Sequence, residues 1–567
     1  MKLGWLSQMV LGSAFLVGCG GDGVTPPPPP PPPSSLAECT TKSVTQLAVG
    51  EHRVIDPSLT NGCVRVPAAG AQGAEYLVVV ASTATALSAT GISGGYHLRT
   101  GVPATAAPEA QADLSEAPPS RTTVADRFHD RLRRLEVALT DDPANRGGGA
   151  FRAPHAAAVP PPVGDVRTFK ACGNLNCDQF VDVQATARYV GTKAAIYMDQ
   201  TVPTVDTLLD IDYQDLGRTF DNRLYAIDAA AFGTESDVDN NDRIVILMTD
   251  AVNALTPTCP GGSRVVGYFY GGDLILTGPS STNSNKAEIF FTLVPSPANG
   301  GCTAYGRTNA LRQLKPTLIH ELQHMISWNQ HVILRGGNSE EPWLNEALSH
   351  YAEELGGRLV PDAECPGFTS CRSQYSSNNI FNTYDYYTDT EASFLLFPTE
   401  SSGTLEERGA AWNFLRWVVD QFATDTLLGS DFTPGLVQTT ARGAANIAAR
   451  TGASFSQLVP EWLMAAYLDD RDALPAMSPR MRFRSWGLRH VWVDLNPQSF
   501  PNGFPLKPDS TSGSYARTGT LRGGSGRHLR LKQAANGSAI DLQLVRDTQG
   551  TAIDAALVAR IGIVRIH

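Results

Sequence analysis

Leu318-Ile319-His320-Glu321-Leu322-Gln323-His324-Met325-Ile326 is the most informative stretch of this chain. Its apolar residues at positions 318, 322, 325 and 326 recur at helical spacing and predict a stripe that packs into a core. Pro316 suits the first turn of a helix, so we expect the helix to begin there. His320 and His324 then share one face of the helix, with Cβ atoms about 5–6 Å apart.

The pattern H-E-x-x-H within this stretch is typical of a zinc site. Two imidazoles one turn apart could both bind one zinc ion at roughly 2.0–2.1 Å, while Glu321 would lie beside a zinc-bound water. The pattern fixes only three residues and occurs by chance on the order of once in a hundred chains of this length. An ordinary helix that carries two histidines is therefore the alternative. A second predicted helix with its own acid, Pro342 to Leu355, favours zinc.

The third zinc ligand is predicted from the acids around this second helix. A metzincin would need a glycine and a histidine where this chain has Ser327 and Gln330. The alternative third ligand is a glutamate on a second helix, as in zinc sites with two histidines and one glutamate. The candidates are Glu340, Glu341, Glu346, Glu353 and Glu354. The first two are expected to supply negative charge at the helix start, and the last two to be solvated at its end. Glu346 remains, one turn before His350 on the same face.

These two helices resemble those of the gluzincin zinc metallopeptidases, through H-E-x-x-H and then Asn345-Glu346-Ala347-Leu348-Ser349. The surroundings (residues 320–327, 343–354 and 410–417) are most similar to the hyicolysin-like family of secreted bacterial peptidases. The resemblance covers roughly residues 165–470. It implies His320, His324 and Glu346 as ligands of one zinc ion and Glu321 as the general base of an endopeptidase.

The resemblance leaves several points of chemistry open. His350 stands where thermolysin-like enzymes place an aspartate that orients a ligand histidine. The donor that would stabilise an oxyanion is sought among Tyr384, Tyr386, Tyr387 and His331. The substrates implied are proteins or peptides, and an aminopeptidase is disfavoured because the chain has no G-x-M-E-N motif. The alternatives are an inactive surface binding or adhesion protein and a nonproteolytic zinc hydrolase.

The start of the chain predicts export and a lipid anchor. Residues 1–18 have one lysine and then a mostly apolar run, as in a secretory signal peptide. Leu16-Val17-Gly18-Cys19 resembles a bacterial lipobox, so Cys19 is the predicted lipidation site. An ordinary signal peptide followed by a stray cysteine is the alternative. Glycines and the eight prolines 26–33 would form a stiff tether. We therefore expect a cell-envelope lipoprotein, surface or periplasmic, or a secreted protein.

The remaining cysteines are consistent with an oxidising compartment. Without Cys19 there are eight, an even number that suggests disulfides in an exported chain. The simplest pairing joins nearest neighbours: 39–63, 172–177, 259–302 and 365–371. A cysteine zinc site is the alternative, although the chain has no C-x-x-C pair.

Composition and pattern predict a multidomain α+β fold with a zincin-like metallopeptidase domain, built of a mixed sheet and active-site helices, between N-terminal and C-terminal β-rich modules. The chain has 567 residues, a formal net charge of −11 and no basic cluster, which argues against nucleic-acid binding; we expect a monomer. The expected divisions are a lipoprotein signal peptide (1–18), a Gly/Pro-rich tether (19–35), a small β module (36–100), a linker with an amphipathic helix that is a candidate propeptide (101–164), the zinc metallopeptidase domain (165–480) and a C-terminal β-sandwich-like module (481–567).

Two further stretches bear on binding. Asp237-Val238-Asp239-Asn240-Asn241-Asp242 places oxygen ligands at alternate positions, like half of a calcium loop. Asp242 and Met248 stand where an EF-hand needs its glycine and glutamate, so calcium is a candidate only, and a turn capped by Asx side chains is the alternative. The stretch from Gly267 to Ile275 predicts an edge strand near the cleft, to which a peptide substrate could add.

Overall fold

The computed structural model describes residues 34–101, 123–148, 151, 159–202, 207–259, 263–298, 300–400, 403–471, 477–495, 498, 500 and 503–567. The predicted signal peptide, the lipidation site Cys19 and nearly all of the tether therefore lie outside the described residues, as do parts of the predicted linker. Within the described ranges, no helix has both the length and the apolar character needed to cross a bilayer.

The strands are β1 (His52–Ile55), β2 (Cys63–Val66), β3 (Ala74–Ala81), β4 (Ser93–Thr100), β5 (Val166–Cys172), β6 (Phe180–Val190), β7 (Ala194–Asp199), β8 (Ile244–Met248), β9 (Gly267–Phe269), β10 (Ile289–Thr292), β11 (Asp509–Thr511), β12 (Tyr515–Arg522), β13 (Gly526–Gln533), β14 (Ile540–Val545) and β15 (Arg560–Arg565). The α-helices are α1 (Val124–Asp141), α2 (Asp210–Thr219), α3 (Tyr225–Phe232), α4 (Asp250–Ala254), α5 (Arg307–Trp328), α6 (Pro342–Leu359), α7 (Cys371–Tyr375), α8 (Ser377–Thr388), α9 (Leu405–Phe422), α10 (Thr433–Val437), α11 (Gly443–Thr451), α12 (Phe455–Leu468) and α13 (Val491–Leu495).

A six-stranded mixed sheet forms the centre of the molecule, in the order β5-β6-β7-β8-β10-β9. Strands β7, β8 and β10 run parallel, and their residues are buried almost without exception. Such continuous apolar runs are expected for strands covered on both faces. Strand β9 pairs antiparallel with β10 and forms one edge of the sheet, as predicted, but it is shorter than the predicted strand from Gly267 to Ile275, because Gly271–Leu274 forms a 3-10 helix.

Helices α5, α6, α8, α9 and α12 pack together in a helical layer; α6, α9 and α12 are almost wholly buried, whereas the start of α5 and one side of α8 are exposed. Helix α5 begins at Arg307, nine residues before the predicted start, and Pro316 lies inside it. A proline in a helix leaves the carbonyl four residues earlier without its usual donor. Here that carbonyl, of Arg312, accepts a hydrogen bond of 3.1 Å from Gln374 Nε2, so a neighbouring helix compensates for the proline.

The two chain ends form one β-sandwich together. Its sheets have the orders β1-β15-β3-β13-β11 and β12-β4-β14-β2, so strands before residue 101 alternate with strands after residue 508 except at the β13–β11 edge. Strand β3, for example, pairs antiparallel with both β13 and β15. This arrangement corrects the expectation of two separate β modules, because neither segment has a complete sheet of its own.

Strand β3 explains how the sandwich attaches to the helical layer. Tyr76, Val78 and Val80 point into the sandwich core, while Leu77 and Val79 face the core that surrounds the helices. Helix α12 packs on that second face, where His528 Nε2 lies 2.8 Å from the Leu463 carbonyl. Because one sheet is covered on both faces, the sandwich and the helical region share a continuous interface.

Two local predictions have different outcomes. The four nearest-neighbour disulfides, Cys39–Cys63, Cys172–Cys177, Cys259–Cys302 and Cys365–Cys371, are all present, which confirms that pairing. The apolar pattern of His490 to Asp494 predicts a strand within the expected C-terminal module, but the structure has α13 there. Trp492 is fully buried there and donates from its indole nitrogen to the Ile380 carbonyl of α8.

Candidate active site

Helices α5 and α6 bring together the three residues that the sequence predicts as metal ligands. His320 Nε2 and His324 Nε2 lie 3.1 Å apart, and each lies 3.7 Å from one oxygen of Glu346. Two donors on one tetrahedral zinc ion would be about 3.3 Å apart, given bonds of about 2.0–2.1 Å. All three side chains are buried. Residues with this spacing and chemistry could hold a zinc ion.

The carboxylate of Glu346 supports this interpretation. Both of its oxygens are buried, and neither has a hydrogen-bond partner. A buried carboxylate without partners is costly unless an opposite charge faces it. The Arg408 guanidinium of α9 supplies one such charge, 3.1 Å from Oε2. Burial alone would raise the pKa of Glu346, but Arg408 and the two histidines outweigh it and hold the pKa well below the usual value.

Each histidine is oriented by a hydrogen bond at its other ring nitrogen. His320 Nδ1 lies 2.7 Å from Glu353 Oε1, and His324 Nδ1 lies 2.9 Å from Asn345 Oδ1. Such partners fix the tautomer and the ring position of metal-binding histidines. Burial lowers the pKa of His324 well below its usual value; in His320 the bond to Glu353 outweighs burial and raises the pKa.

Glu353 and Glu354 correct the expectation that both are solvated. Glu353 is buried against His320, and Glu354 is fully buried between Arg358, Arg416 and two tryptophan indoles. Glu353 thus occupies the orienting role that the family resemblance places at position 350. Sequence reasoning missed it because only the crossing of α5 and α6 brings position 353 beneath His320.

A second cluster of metal-binding atoms, His320, His350 and Glu353, competes with the first. Here His320 would use its Nδ1 atom, which lies 2.7 Å from Glu353. That distance is short for two donors on one zinc ion, about 3.3 Å apart, and normal for a hydrogen bond. His350 Nδ1 lies 3.3 Å from the same Glu353 oxygen. We therefore assign this cluster to the support of His320 rather than to a separate metal.

Glu321, the predicted general base, faces the edge strand. Its Oε2 atom accepts a hydrogen bond of 2.8 Å from the Phe269 backbone N–H in β9. Burial raises the pKa of Glu321, against the lowering effect of His320 and Arg133. A raised pKa brings a carboxylate closer to the working pH of a general base. The site therefore combines a carboxylate suited to proton transfer with an edge that could align a peptide.

Helix α1 covers this same edge. Arg133 Nη2 donates to the Phe269 carbonyl at 2.7 Å, and Glu136 Oε1 accepts from the Gly271 N–H at 2.8 Å. Arg133 and Glu136 also pair with each other at 3.2 Å, and both are buried. The sequence predicts the helix itself, whereas its position on the edge strand was missed. The only sequence signal for this position was that the helix carries two charged side chains, Arg133 and Glu136, in addition to an apolar face.

The predicted oxyanion donors have other contacts. Tyr386 stacks on Trp462 with ring centroids 5.7 Å apart, and the Tyr387 hydroxyl donates to Asn413. Tyr384 packs against Trp492. His331 is fully buried beyond the end of α5, 3.8 Å from Glu340. These contacts are ordinary core packing, so we assign none of the four residues as an oxyanion donor of the candidate active site.

Comparison with known proteins gives one significant sequence relative. The chain is 27% identical over 241 residues to the neutral metalloprotease ShpI of Staphylococcus hyicus. The aligned part covers 42% of this chain and 46% of that protein, so it spans less than half of the relative's length. No family model matches the chain. Part of the chain is therefore similar in sequence to a metalloprotease.

The similar solved structures are more distant. One is an M1 zinc metallopeptidase mutant from Deinococcus radiodurans bound to a Tyr-Ser-Ala substrate, at 13% identity and a TM-score of 0.28. Another is a two-domain M1 zinc metallopeptidase mutant bound to L-arginine, at 13% identity and a TM-score of 0.26. Each comparison covers 55% of this chain and 54% of the other. At such scores the likeness carries no argument about fold or activity.

Proposed function

We propose that this chain is a zinc-dependent endopeptidase that hydrolyses protein or peptide substrates outside the cell. The convergence of His320, His324 and Glu346, with Glu321 beside them, carries the proposal. The similarity to a metalloprotease supports it, and the zincin-like and hyicolysin-like assignments belong to the same proposal. When bound, a zinc ion would polarise a scissile carbonyl and lower the pKa of water.

The chain's own residues would do the rest of the chemistry. Glu321 takes a proton from the attacking water and passes it to the leaving amine. Glu353 and Asn345 hold the two imidazoles in place, which keeps their Nε2 atoms directed at one point. The β9 edge aligns an extended substrate by backbone hydrogen bonds. A cleft beside Glu353 receives a substrate side chain. Its lining combines apolar residues, Val266, Phe368 and Phe381, with polar and charged ones such as Arg312, Gln313 and Asn378.

The activity is tested by casein zymography of the wild type and of Glu321→Gln, with zinc content measured by mass spectrometry. We expect clearing by the wild type, at least a hundredfold less clearing by Glu321→Gln, and stoichiometric zinc in both. Glu400→Gln, at an exposed position, is the matched control and should clear like the wild type. Equal clearing by Glu321→Gln would exclude Glu321 as the base.

The same assays separate the alternatives and test the third ligand. Zinc binding without hydrolysis of casein or of small esters and amides would favour a binding or adhesion protein. Hydrolysis of small substrates alone would favour a nonproteolytic hydrolase. Glu346→Ala should lose stoichiometric zinc, and a variant that keeps it would show that another residue is the third ligand.

We further propose that α1 keeps the site closed until it is displaced, in agreement with its interpretation as a candidate propeptide. Arg133 and Glu136 occupy the backbone groups of Phe269 and Gly271 to which a substrate strand would bind. Arg133→Ala should therefore raise the turnover of a quenched fluorescent peptide several-fold. Arg127→Ala, on the exposed side of α1, should leave it unchanged. Lower activity in Arg133→Ala would instead make α1 part of the working site.

The proposed location is the cell envelope, through lipidation of Cys19 after removal of residues 1–18. A lipid anchor of this kind needs more than one acyl chain for stable membrane binding. Metabolic labelling with an alkyne fatty acid should mark the wild type and not Cys19→Ser. Equal labelling of both proteins would reject the assignment, and no labelling of either would favour a secreted form.

A further inference from the structure

A second cluster of acidic side chains lies away from the candidate active site, at the start of two parallel strands. Asp237 and Asp239 belong to the loop before β8, and Glu288 directly precedes β10. One carboxylate oxygen from each lies within 4.8 Å of those of the other two. Because β8 and β10 are adjacent and parallel, their preceding loops meet at one end of the sheet.

The cluster contains buried oxygens that no described group satisfies. Glu288 is 1% exposed; its Oε1 accepts from Ser236 Oγ and Val238 N, but its Oε2 is buried without a partner. Asp239 Oδ2 accepts from the Asn241 amide, and its Oδ1 is likewise buried and unpaired. Each such oxygen costs free energy unless something binds it. Two unpaired oxygens in one small cluster indicate a missing ligand.

The neighbouring basic residues do not neutralise the cluster. Lys193 forms its ion pairs with Glu235 and Asp242, at 3.5 and 3.8 Å. Arg243 donates to the Asp242 carbonyl. Arg167 contributes a favourable charge to Asp239 without forming an ion pair among the described contacts. The three carboxylates therefore lie close together, and the basic side chains of Lys193 and Arg243 form their described contacts with other groups.

We propose that Asp237, Asp239 and Glu288 bind a calcium ion. Calcium takes six to eight oxygen ligands at about 2.3–2.6 Å in flexible geometry, and carboxylates are its commonest protein ligands. The exposed side of the cluster, at Asp237, leaves room for waters to complete the shell. Calcium loops also place oxygen ligands at alternate positions and add an acidic residue from further along the chain. Asp237 and Asp239 supply the alternate positions here, and Glu288 supplies the additional acid.

The ion would fix the loop against the end of the catalytic helix. The Thr234 carbonyl, three residues before Asp237, accepts from both Asn329 Nδ2 and Gln330 Nε2. These two residues directly follow α5. Calcium binding would therefore stabilise the segment that holds the C-terminal end of α5, and its loss would be measurable as a lower melting temperature.

The test uses full-length protein that is freed of metals on a chelating resin and reloaded with one equivalent of zinc. Calcium is then titrated by calorimetry, and the melting temperature is measured with and without 5 mM calcium or magnesium. We expect one site with a Kd of about 10⁻⁵–10⁻³ M for the wild type and a rise in melting temperature. Glu288→Gln and Asp239→Asn should each weaken binding at least tenfold. Asp242→Asn, in the same loop but paired with Lys193, should bind within twofold of the wild type.

Three outcomes would overturn the proposal. One is an unchanged calcium response in both Glu288→Gln and Asp239→Asn. Another is an equal response to magnesium, which would mean that the cluster does not select calcium. The third is a wild-type protein whose melting temperature does not respond to calcium, together with variants that melt at a higher temperature than the wild type. That result would mean that the carboxylates share a proton instead of binding an ion. Two variants are used so that a folding defect in one leaves the other informative.

Discussion

At the scale of single residues, the candidate site depends on contacts among helices α5, α6 and α9. His320 and His324 lie one turn apart on α5, and Glu346 of α6 lies 3.7 Å from each. The roles of Glu353 and Arg408 were not predicted, because they depend on how three helices cross. Motif and family resemblance therefore predicted the three candidate ligands, and neither indicated the side chains that hold those ligands in place.

Removal of the Glu353 carboxylate should weaken zinc binding. It holds His320 Nδ1 at 2.7 Å, and loss of such a partner typically costs about 10–100-fold in metal affinity. We expect that loss for Glu353→Ala and a smaller one for Glu353→Gln, measured by competition with a chromophoric chelator. Glu400→Ala, at an exposed position, is the control. Wild-type affinity in Glu353→Ala would refute the orienting role.

A buried acid outside the zinc cluster should give a measurable pH dependence. Burial raises the pKa of Glu340 to about 7, although Asn446 and the Gly443 N–H donate to its carboxylate. Its pKa in the unfolded chain is about 4.3, so the folded state binds the extra proton between these values. The stabilising contribution of Glu340 is complete below about pH 4 and is lost as the pH rises to about 7.

Glu340→Gln removes this titration. Between pH 5 and 8, its free energy of unfolding should therefore fall less than that of the wild type. Chemical denaturation at four pH values measures the difference. Identical slopes for the two proteins would mean that Glu340 keeps an ordinary pKa in the fold.

At the scale of elements, sequence predicts the helices well and their contacts poorly. The helical spacing of Leu405, Trp412, Leu415 and Val419 predicts a helix over residues 405–422, and α9 is present there, with Thr404 and Glu407 forming a capping box at its start. The start of α5 was misplaced because Pro316 was taken as a boundary. A side chain from outside the helix, Gln374, compensates for that proline, and no local pattern indicates such a partner.

The close contact of α8 and α9 depends on Gly409. A Cβ at this position would lie 2.3 Å from the Asn382 carbonyl carbon, which is backbone and cannot move aside cheaply. Gly409→Ala should lower the free energy of unfolding by about 1–3 kcal/mol, as overpacking usually does. Urea denaturation measures the loss. Gly513→Ala, where an added Cβ meets nothing within 4 Å, should be close to neutral.

At the scale of the whole molecule, the sandwich was the least predictable feature. Alternating and apolar strands were recognised near both chain ends, yet pairing between them has no local signature. The bond between Arg530 and Glu75, for example, spans 455 residues. Local sequence therefore predicts strands but not their pairing. For that reason the two halves of one β-sandwich were predicted as two separate modules.

Deletion of residues 509–567 tests this architecture. The deletion removes both neighbours of β3 and uncovers α12, so we expect a protein that aggregates or is digested rapidly by trypsin. Co-production of residues 509–567 as a separate chain should restore part of the soluble yield. A soluble, protease-resistant protein of residues 1–508 that still binds zinc would mean that the sandwich is dispensable.

Because the chain is synthesised from its N-terminus, the first strands of the sandwich are made well before the strands with which they pair. Ribosomes add about 5–20 residues per second, so β3 emerges on the order of half a minute before the strands that flank it. During that time Tyr76 to Ala81 is an apolar strand with two unsatisfied edges, the kind of segment that aggregates. We therefore expect this strand to bind a chaperone while it is unpaired, and slow synthesis to lower the yield more than that of a protein with local sheets.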